Sequence, residues 1–270
     1  WTLANVTGNA DYIDMTLMMS PNHESWRNML YGKAAYTAPI GYRGTRLSLG
    51  YEVTGYDLGG RLKPLGIQGD STLISLGLSH PLRRSRERNL FLTGGITKKD
   101  HKNYLFERTL NTSTDQYSVF EAGLNGDCQK EKRSLAWSVL LTSGLGEAFG
   151  GMDDRDYINS SRPNKADGSW TKFNLAINGT FTQNQQHKLV LRGEGQFSND
   201  ALLSPEQGSL GGPTSVRAYP ISEYSGDQSY LLAAEYHVPF RKNSRPRSNA
   251  GWLVFVDHGG THVNSRIAGE

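Results

Sequence analysis

Lys172-Phe173-Asn174-Leu175-Ala176-Ile177-Asn178-Gly179-Thr180-Phe181-Thr182 reads as a single long strand. Phe173, Leu175, Ile177, Gly179 and Phe181 fall on one face, with Lys172, Asn174, Asn178 and Thr180 on the other, the period of two that a pleated backbone imposes. Strands of soluble proteins usually run about five or six residues, whereas tilted membrane strands need about nine to eleven. This run is of the longer kind. Thr45 to Tyr56 repeats the pattern, with Leu47, Leu49, Tyr51 and Val53 set against Arg46, Ser48, Glu52 and Thr54. Lys188 to Phe197 sets Leu189, Leu191 and Phe197 against Arg192, Glu194 and Gln196.

Periodicity alone does not separate a soluble sandwich, whose polar face meets bulk water, from a large barrel, whose polar face lines a wet lumen. The connections do. Gly41–Gly44, Arg83–Asn89, Gln129–Arg133 and Gln183–Gln186 are short and polar, and they alternate with long segments at Gly59–Asp70, Lys99–Gln116, Gly144–Ser169 and Asn199–Gln228. Tight turns at one rim and long loops at the other are what a membrane barrel produces. The expected strands are Tyr12–Ser20, Met29–Pro39, Thr45–Tyr56, Ser71–Leu82, Leu90–His101, Tyr117–Cys128, Leu135–Ser143, Thr171–Thr182, Lys188–Ser198, Tyr230–Phe240 and Trp252–Val263, with a stub at Trp1–Asn5. The fold class expected is therefore all-β, an antiparallel transmembrane β-barrel. Leu49 and Leu175 should face lipid, Glu52 and Asn174 the lumen, and Tyr12, Tyr36, Tyr56, Tyr236 and Trp252 should form interfacial girdles. Arg46, Glu52, Lys172, Arg192, Glu194 and Glu235 are the charged groups expected to line the lumen.

Composition agrees with a barrel and excludes several alternatives. Among 270 residues there are 31 Gly and 13 Tyr, 36% are hydrophobic, and mean hydropathy is −0.55. No window approaches the roughly 18 consecutive apolar residues of a membrane helix, and in a barrel the lumen-facing half dilutes the average, so low hydropathy is no objection. Cys128 stands alone, which excludes an internal disulfide and a cysteine-rich metal site. A net charge of +3 spread along the chain gives no support to nucleic-acid binding. His23, His80, His101, His187, His237, His258 and His262 lack zinc-ligand spacing, and Asp153-Asp154-Arg155-Asp156 lacks the Gly and terminal Glu of a calcium loop. There is no Gly-x-Ser-x-Gly elbow and no third glycine after Gly144-Leu145-Gly146. We expect no enzyme, no metal and no cofactor.

Two further segments carry the functional information. Gly211-Gly212-Pro213-Thr214-Ser215-Val216-Arg217-Ala218-Tyr219-Pro220 places one Arg on a Gly/Pro-framed loop tip, and Phe255-Val256-Asp257-His258-Gly259 places one Asp inside an apolar strand. A buried carboxylate needs a partner, and a planar guanidinium is the best available. The plain alternative makes Arg217 an exposed loop residue and Asp257 a turn residue. The ordered appearance of Glu235-Tyr236-His237-Val238-Pro239-Phe240 between the two segments argues against it.

Together the segments resemble the signature of two-partner secretion transporters, the TpsB or hemolysin-activator type (ShlB/FhaC/HecB). In that family a Val-Arg-Gly-Tyr motif tips a loop folded back into the barrel, and its Arg meets the Asp of a Phe-x-Asp-x-Gly strand. The resemblance implies that Val216, Arg217, Ala218 and Tyr219 form the loop motif and Phe255, Asp257 and Gly259 the strand motif. Tyr36-Thr37-Ala38-Pro39 and Leu78-Ser79-His80-Pro81-Leu82 look like strand ends of the same family. Ala218 stands where the family has Gly, which would cost about 1 kcal/mol if that position had positive φ. The resemblance also implies sixteen strands, of which about eleven complete ones are here, so residues 1–270 are expected to be a partial barrel domain without the first and last strands or the periplasmic POTRA domains. It implies a monomeric barrel in the outer membrane of a Gram-negative bacterium, in contact with lipid and exporting an unfolded, TpsA-like exoprotein such as a hemolysin, adhesin or contact-dependent toxin. Two other readings stand beside it: a related barrel that assembles or inserts outer-membrane proteins, and a soluble β-rich binding module.

Overall fold

The computed structural model describes residues 1–20, 29–58, 60–152, 159–163, 165–183, 187–240 and 251–264; His23 and Asp153–Asp156 lie outside them. In chain order the strands are β1 Thr2–Ala4, β2 Tyr12–Ser20, β3 Met29–Ile40, β4 Thr45–Asp57, β5 Gln68–Arg84, β6 Arg88–Leu105, β7 Leu110–Lys130, β8 Arg133–Gly144, β9 Thr171–Thr182, β10 Lys188–Ser198, β11 Gly208–Leu210, β12 Tyr224–Gly226, β13 Gln228–Pro239 and β14 Gly251–His262. Twelve of them form one antiparallel meander in the order β1 to β10, then β13 and β14. The remaining two, β11 and β12, pair with each other inside the long β10–β13 connection.

Alternation puts the apolar side chains on the outer face and leaves them uncovered. Leu49 is 55% exposed, Leu175 42%, Leu232 59% and Val254 66%. In water a face of this extent would be an aggregation liability; against acyl chains it is the expected surface. The buried apolar cluster is small and sits on the opposite, inner face, where Tyr117 and Val119 of β7 pack with Met152, Ala166 and Trp170 of the β8–β9 connection and with Leu202 and Leu203 of the β10–β13 connection. No helix is long and apolar enough to cross a membrane among the described residues.

Three details differ from the expectations above. Lys99–Gln116, expected as a long connection, is the far end of a hairpin: β6 runs on to Leu105 and β7 starts at Leu110, around a turn in which Phe106, Glu107 and Arg108 all have positive φ. Polar residues occupy both faces of this extension, so the alternation that marks a strand is erased there. Tyr12 and Tyr56 are not girdle residues. Tyr12 lies on the inner face beneath Arg46, whose guanidinium carbon is 5.6 Å from its ring, and Tyr56 donates to Asn103 Oδ1 at 2.7 Å. Finally, Pro81 stands at a register shift between β5 and β6 rather than at a strand end, a place where its missing N–H is tolerated.

Candidate functional site

The site begins with a register. In the β13–β14 pair Ala233 lies opposite Asp257 and Glu235 opposite Phe255, which sets both carboxylates and the phenyl ring on the inner face. The segment between β11 and β12 delivers Arg217 to them. Its Nε donates to Asp257 Oδ2 at 2.6 Å and its Nη2 to Oδ1 at 2.6 Å, a bidentate pair, and its backbone N–H donates to Oδ2 at 3.2 Å. Nη1 donates to Glu235 Oε1 at 2.7 Å. The guanidinium carbon lies 3.6 Å from the centroid of the Phe255 ring, a cation–π contact. Asp257 is the most enclosed member, with a side chain 4% exposed against 19% for Arg217. The hydrogen bonds to Asp257 raise the Arg217 pKa further above its ordinary value, so the cation is permanent.

The loop reaches this point by folding on itself. Gly211 and Gly212 have φ of +112° and +96°, and a Cβ on Gly211 would lie 2.1 Å from the Pro220 carbonyl oxygen, so only glycine fits. Gly212 N–H donates to Tyr219 O at 2.9 Å, Gly211 N–H to Ser215 Oγ at 3.2 Å, and the Tyr219 ring meets Tyr224 edge-on. Ala218 does not have positive φ, so its methyl group carries no backbone penalty and the departure from the Gly motif is accommodated. Gly259 explains the end of the strand motif. A Cβ there would lie 2.9 Å from Leu210 Cδ1 and 3.1 Å from Val216 Cγ2, so the loop seats Val216 where the wall has no side chain.

The six charged positions assigned to the lumen all lie on the inner face, but two of them hold the loop. Glu235 is the second carboxylate on Arg217, and its other oxygen is 3.0 Å from His237 Nε2. Lys172 is committed to Glu206, 2.7 Å away. Arg46, Glu52, Arg192 and Glu194 remain along the wall, with Glu52 near Lys33 and Arg192 near Glu194 at 3.9 Å each. Sequence reasoning missed the roles of Glu235 and Phe255 at Arg217. Consecutive antiparallel strands are expected neighbours, but only the observed register puts the odd-numbered residues of both on one face. Among the described residues no His/Cys/Asp/Glu group is arranged to hold a metal ion.

The model of the family described as haemolysin secretion/activation protein ShlB/FhaC/HecB matches residues 1–269. The chain belongs to that family. It is 23% identical over 247 residues to the hemolysin transporter protein HpmB of Proteus mirabilis, covering 90% of this chain and 43% of that one. It is 27% identical over 192 residues to the outer membrane transporter CdiB of Escherichia coli, covering 68% and 32%. The solved structure of CdiB from Escherichia coli superposes with a TM-score of 0.70 at 23% identity, over 89% of this chain and 44% of that one. The chain thus spans less than half the length of these relatives. Its sheet, apolar outside and polar inside, is that of the family's outer-membrane β-barrel in Gram-negative bacteria.

Proposed function

We propose that this chain is the larger part of the barrel of a two-partner secretion transporter, which passes an unfolded exoprotein to the cell surface. The observation that carries the reading is the Arg217 lock, in which a loop far longer than a hairpin needs is held on the inner wall by two carboxylates and an aromatic ring. A loop seated there lies where a polypeptide in transit must pass. Polar, partly exposed groups such as Arg46, Glu52, Arg192 and Glu194 give such a polypeptide a wet surface of mixed charge, which solvates it without binding it tightly. In this reading the barrel is a monomer, transport needs no nucleotide or cofactor, and the rest of the barrel and the periplasmic domains belong to other parts of the same protein.

The test is export by the full-length transporter, co-expressed with its partner exoprotein. The partner in the medium and the abundance of other outer-membrane barrels are both measured for the wild type and for Arg217→Ala. Loss of exoprotein at unchanged abundance of other barrels supports export. Unimpaired export with a fall in other barrels would instead identify an assembly function.

A further inference from the structure

The Arg217 loop touches the wall at a second place, and this contact is more deeply buried than the first. Glu206, in the 3₁₀ turn Ser204–Glu206, is 4% exposed. Its Oε1 accepts from Lys99 Nζ at 2.6 Å and from Tyr117 Oη at 2.7 Å, and its Oε2 lies 2.7 Å from Lys172 Nζ. Its backbone carbonyl accepts from Lys172 Nζ at 2.9 Å and from Gln196 Nε2 at 3.0 Å. A carboxylate this far from water survives only when several donors replace its hydration, and here three strands supply them: β6, β7 and β9. Arg217 is held by β13 and β14. The segment between Glu206 and Arg217 therefore crosses the inner face from one part of the sheet to another, fastened at both ends.

The same turn is joined to the β8–β9 connection. Leu202 and Leu203 pack against Met152, Ala166 and Trp170. Ser204 N–H donates to Ser161 Oγ at 3.0 Å, and Ser161 N–H donates to Asp115 Oδ1 on β7 at 2.8 Å. Arg162 donates to the Leu202 carbonyl at 2.6 Å and pairs with Asp227, which is fully buried and also accepts from Leu202 N–H at 2.9 Å and Asn264 N–H at 2.7 Å. The two long connections share one core and one polar network.

We propose that Glu206 is a positioning residue for transport: its clamp by Lys99, Lys172 and Tyr117 fixes the Arg217 loop and the β8–β9 connection as one body on the inner wall, so that neither clears the path alone. The inference rests on the transporter reading. It also adds a second anchor, independent of Arg217, whose release changes the open state of the pore.

Ion conductance of the purified full-length transporter in planar lipid bilayers tests it without any secreted partner. Glu206→Gln keeps the shape and a hydrogen bond to Tyr117 but removes both ion pairs. A several-fold rise in the frequency of wide-open events is expected, with Glu206→Asp intermediate and Lys99→Gln/Lys172→Gln matching Glu206→Gln. Combined with Arg217→Ala, Glu206→Gln should exceed either single variant, because the anchors share no partner. Wild-type conductance from correctly inserted Glu206→Gln would overturn the proposal, as would a double variant no different from Arg217→Ala. If Glu206→Gln does not insert, Tyr117→Phe and Lys172→Gln, each removing part of the clamp, must raise the open frequency; unchanged traces from both would overturn it equally. Failure of exoprotein export by the wild type would count against the transporter reading and leave the conductance result standing.

Discussion

The β10–β13 connection is fastened at two points that solve the same problem differently. At Arg217 the buried charge pair belongs to the wall: Asp257 and Glu235 are fixed on strands, and the loop brings one cation to them. At Glu206 the loop brings the anion, and the wall supplies Lys99, Lys172 and Tyr117. A guanidinium meets Asp257 through two parallel hydrogen bonds and covers Phe255 with its flat face, so the first anchor is specific in direction. Two ammonium groups and a phenol around one carboxylate make the second anchor strong in charge but tolerant in geometry. The difference teaches that one anchor sets where the loop tip sits, whereas the other sets whether the loop's base stays down.

Arg217→Ala should produce the largest effect, because it leaves Asp257 buried and two carboxylates without their cation. Removing one partner of a buried pair costs about 3–5 kcal/mol, so export of the partner protein should fall to near background while barrel abundance is unchanged. Arg217→Lys should rescue little, since an ammonium cannot reproduce the bidentate contact. Export by Arg217→Ala at the wild-type level would remove the lock from the mechanism.

Glu206→Ala should come next, at about 2–3 kcal/mol, since the freed ammonium groups of Lys99 and Lys172 are partly exposed and can turn toward water. Added protease should cut the 199–227 segment faster in this variant, and protection equal to the wild type would place the second anchor among the dispensable contacts.

Acid tests the second anchor. Burial opposes the charge on Glu206, but Lys99 and Lys172 more than offset it and hold the carboxyl at about 2, below its ordinary 4.5. Because the folded value is depressed, the stabilisation is complete above pH 4.5 and is lost as pH falls from there toward 2. By linkage it amounts to roughly 3 kcal/mol. Protease protection of the segment should therefore be flat from pH 8 to 5 and decline below 4.5, with a smaller decline in Glu206→Gln.

Phe255→Leu should have the smallest effect. It keeps both carboxylates and loses the ring beneath the guanidinium, worth about 0.5–2 kcal/mol. Export should fall by a modest factor, measurably less than for Arg217→Ala. Equal losses would mean that the ring, rather than the charge pair, positions the loop tip.

Much of this molecule was legible along the chain. β2, β9 and β10 have the bounds that alternation assigns, and β13 and β14 lie within two residues of theirs. Strand periodicity is a local property, and each of these strands carries it in its own residues. Where both faces are polar, as along Lys99–Leu105 and Leu110–Gln116, the same rule turned strand into loop. The tyrosines failed differently. Tyr12 and Tyr56 lie near strand ends, as girdle residues do, but Tyr56 shares the polar face of its strand with Arg46 and Glu52, and the register sets Tyr12 on that same inner face.

The sequence by itself determined the architecture, through runs of alternating residues too long for a soluble sheet, and the chemistry at Arg217, through a lone cation and a lone buried anion in an ordered pair of motifs. Only the tertiary structure decided which other charges meet. Glu235 becomes a partner of Arg217 because β13 and β14 pair in one register rather than its neighbour, which would turn the carboxylate to lipid. Glu206, Lys99, Tyr117 and Lys172 are separated by up to 107 residues, and nothing local to any of them names the other three. Their meeting is set by the order of strands around the wall and by the fold of the loop across it.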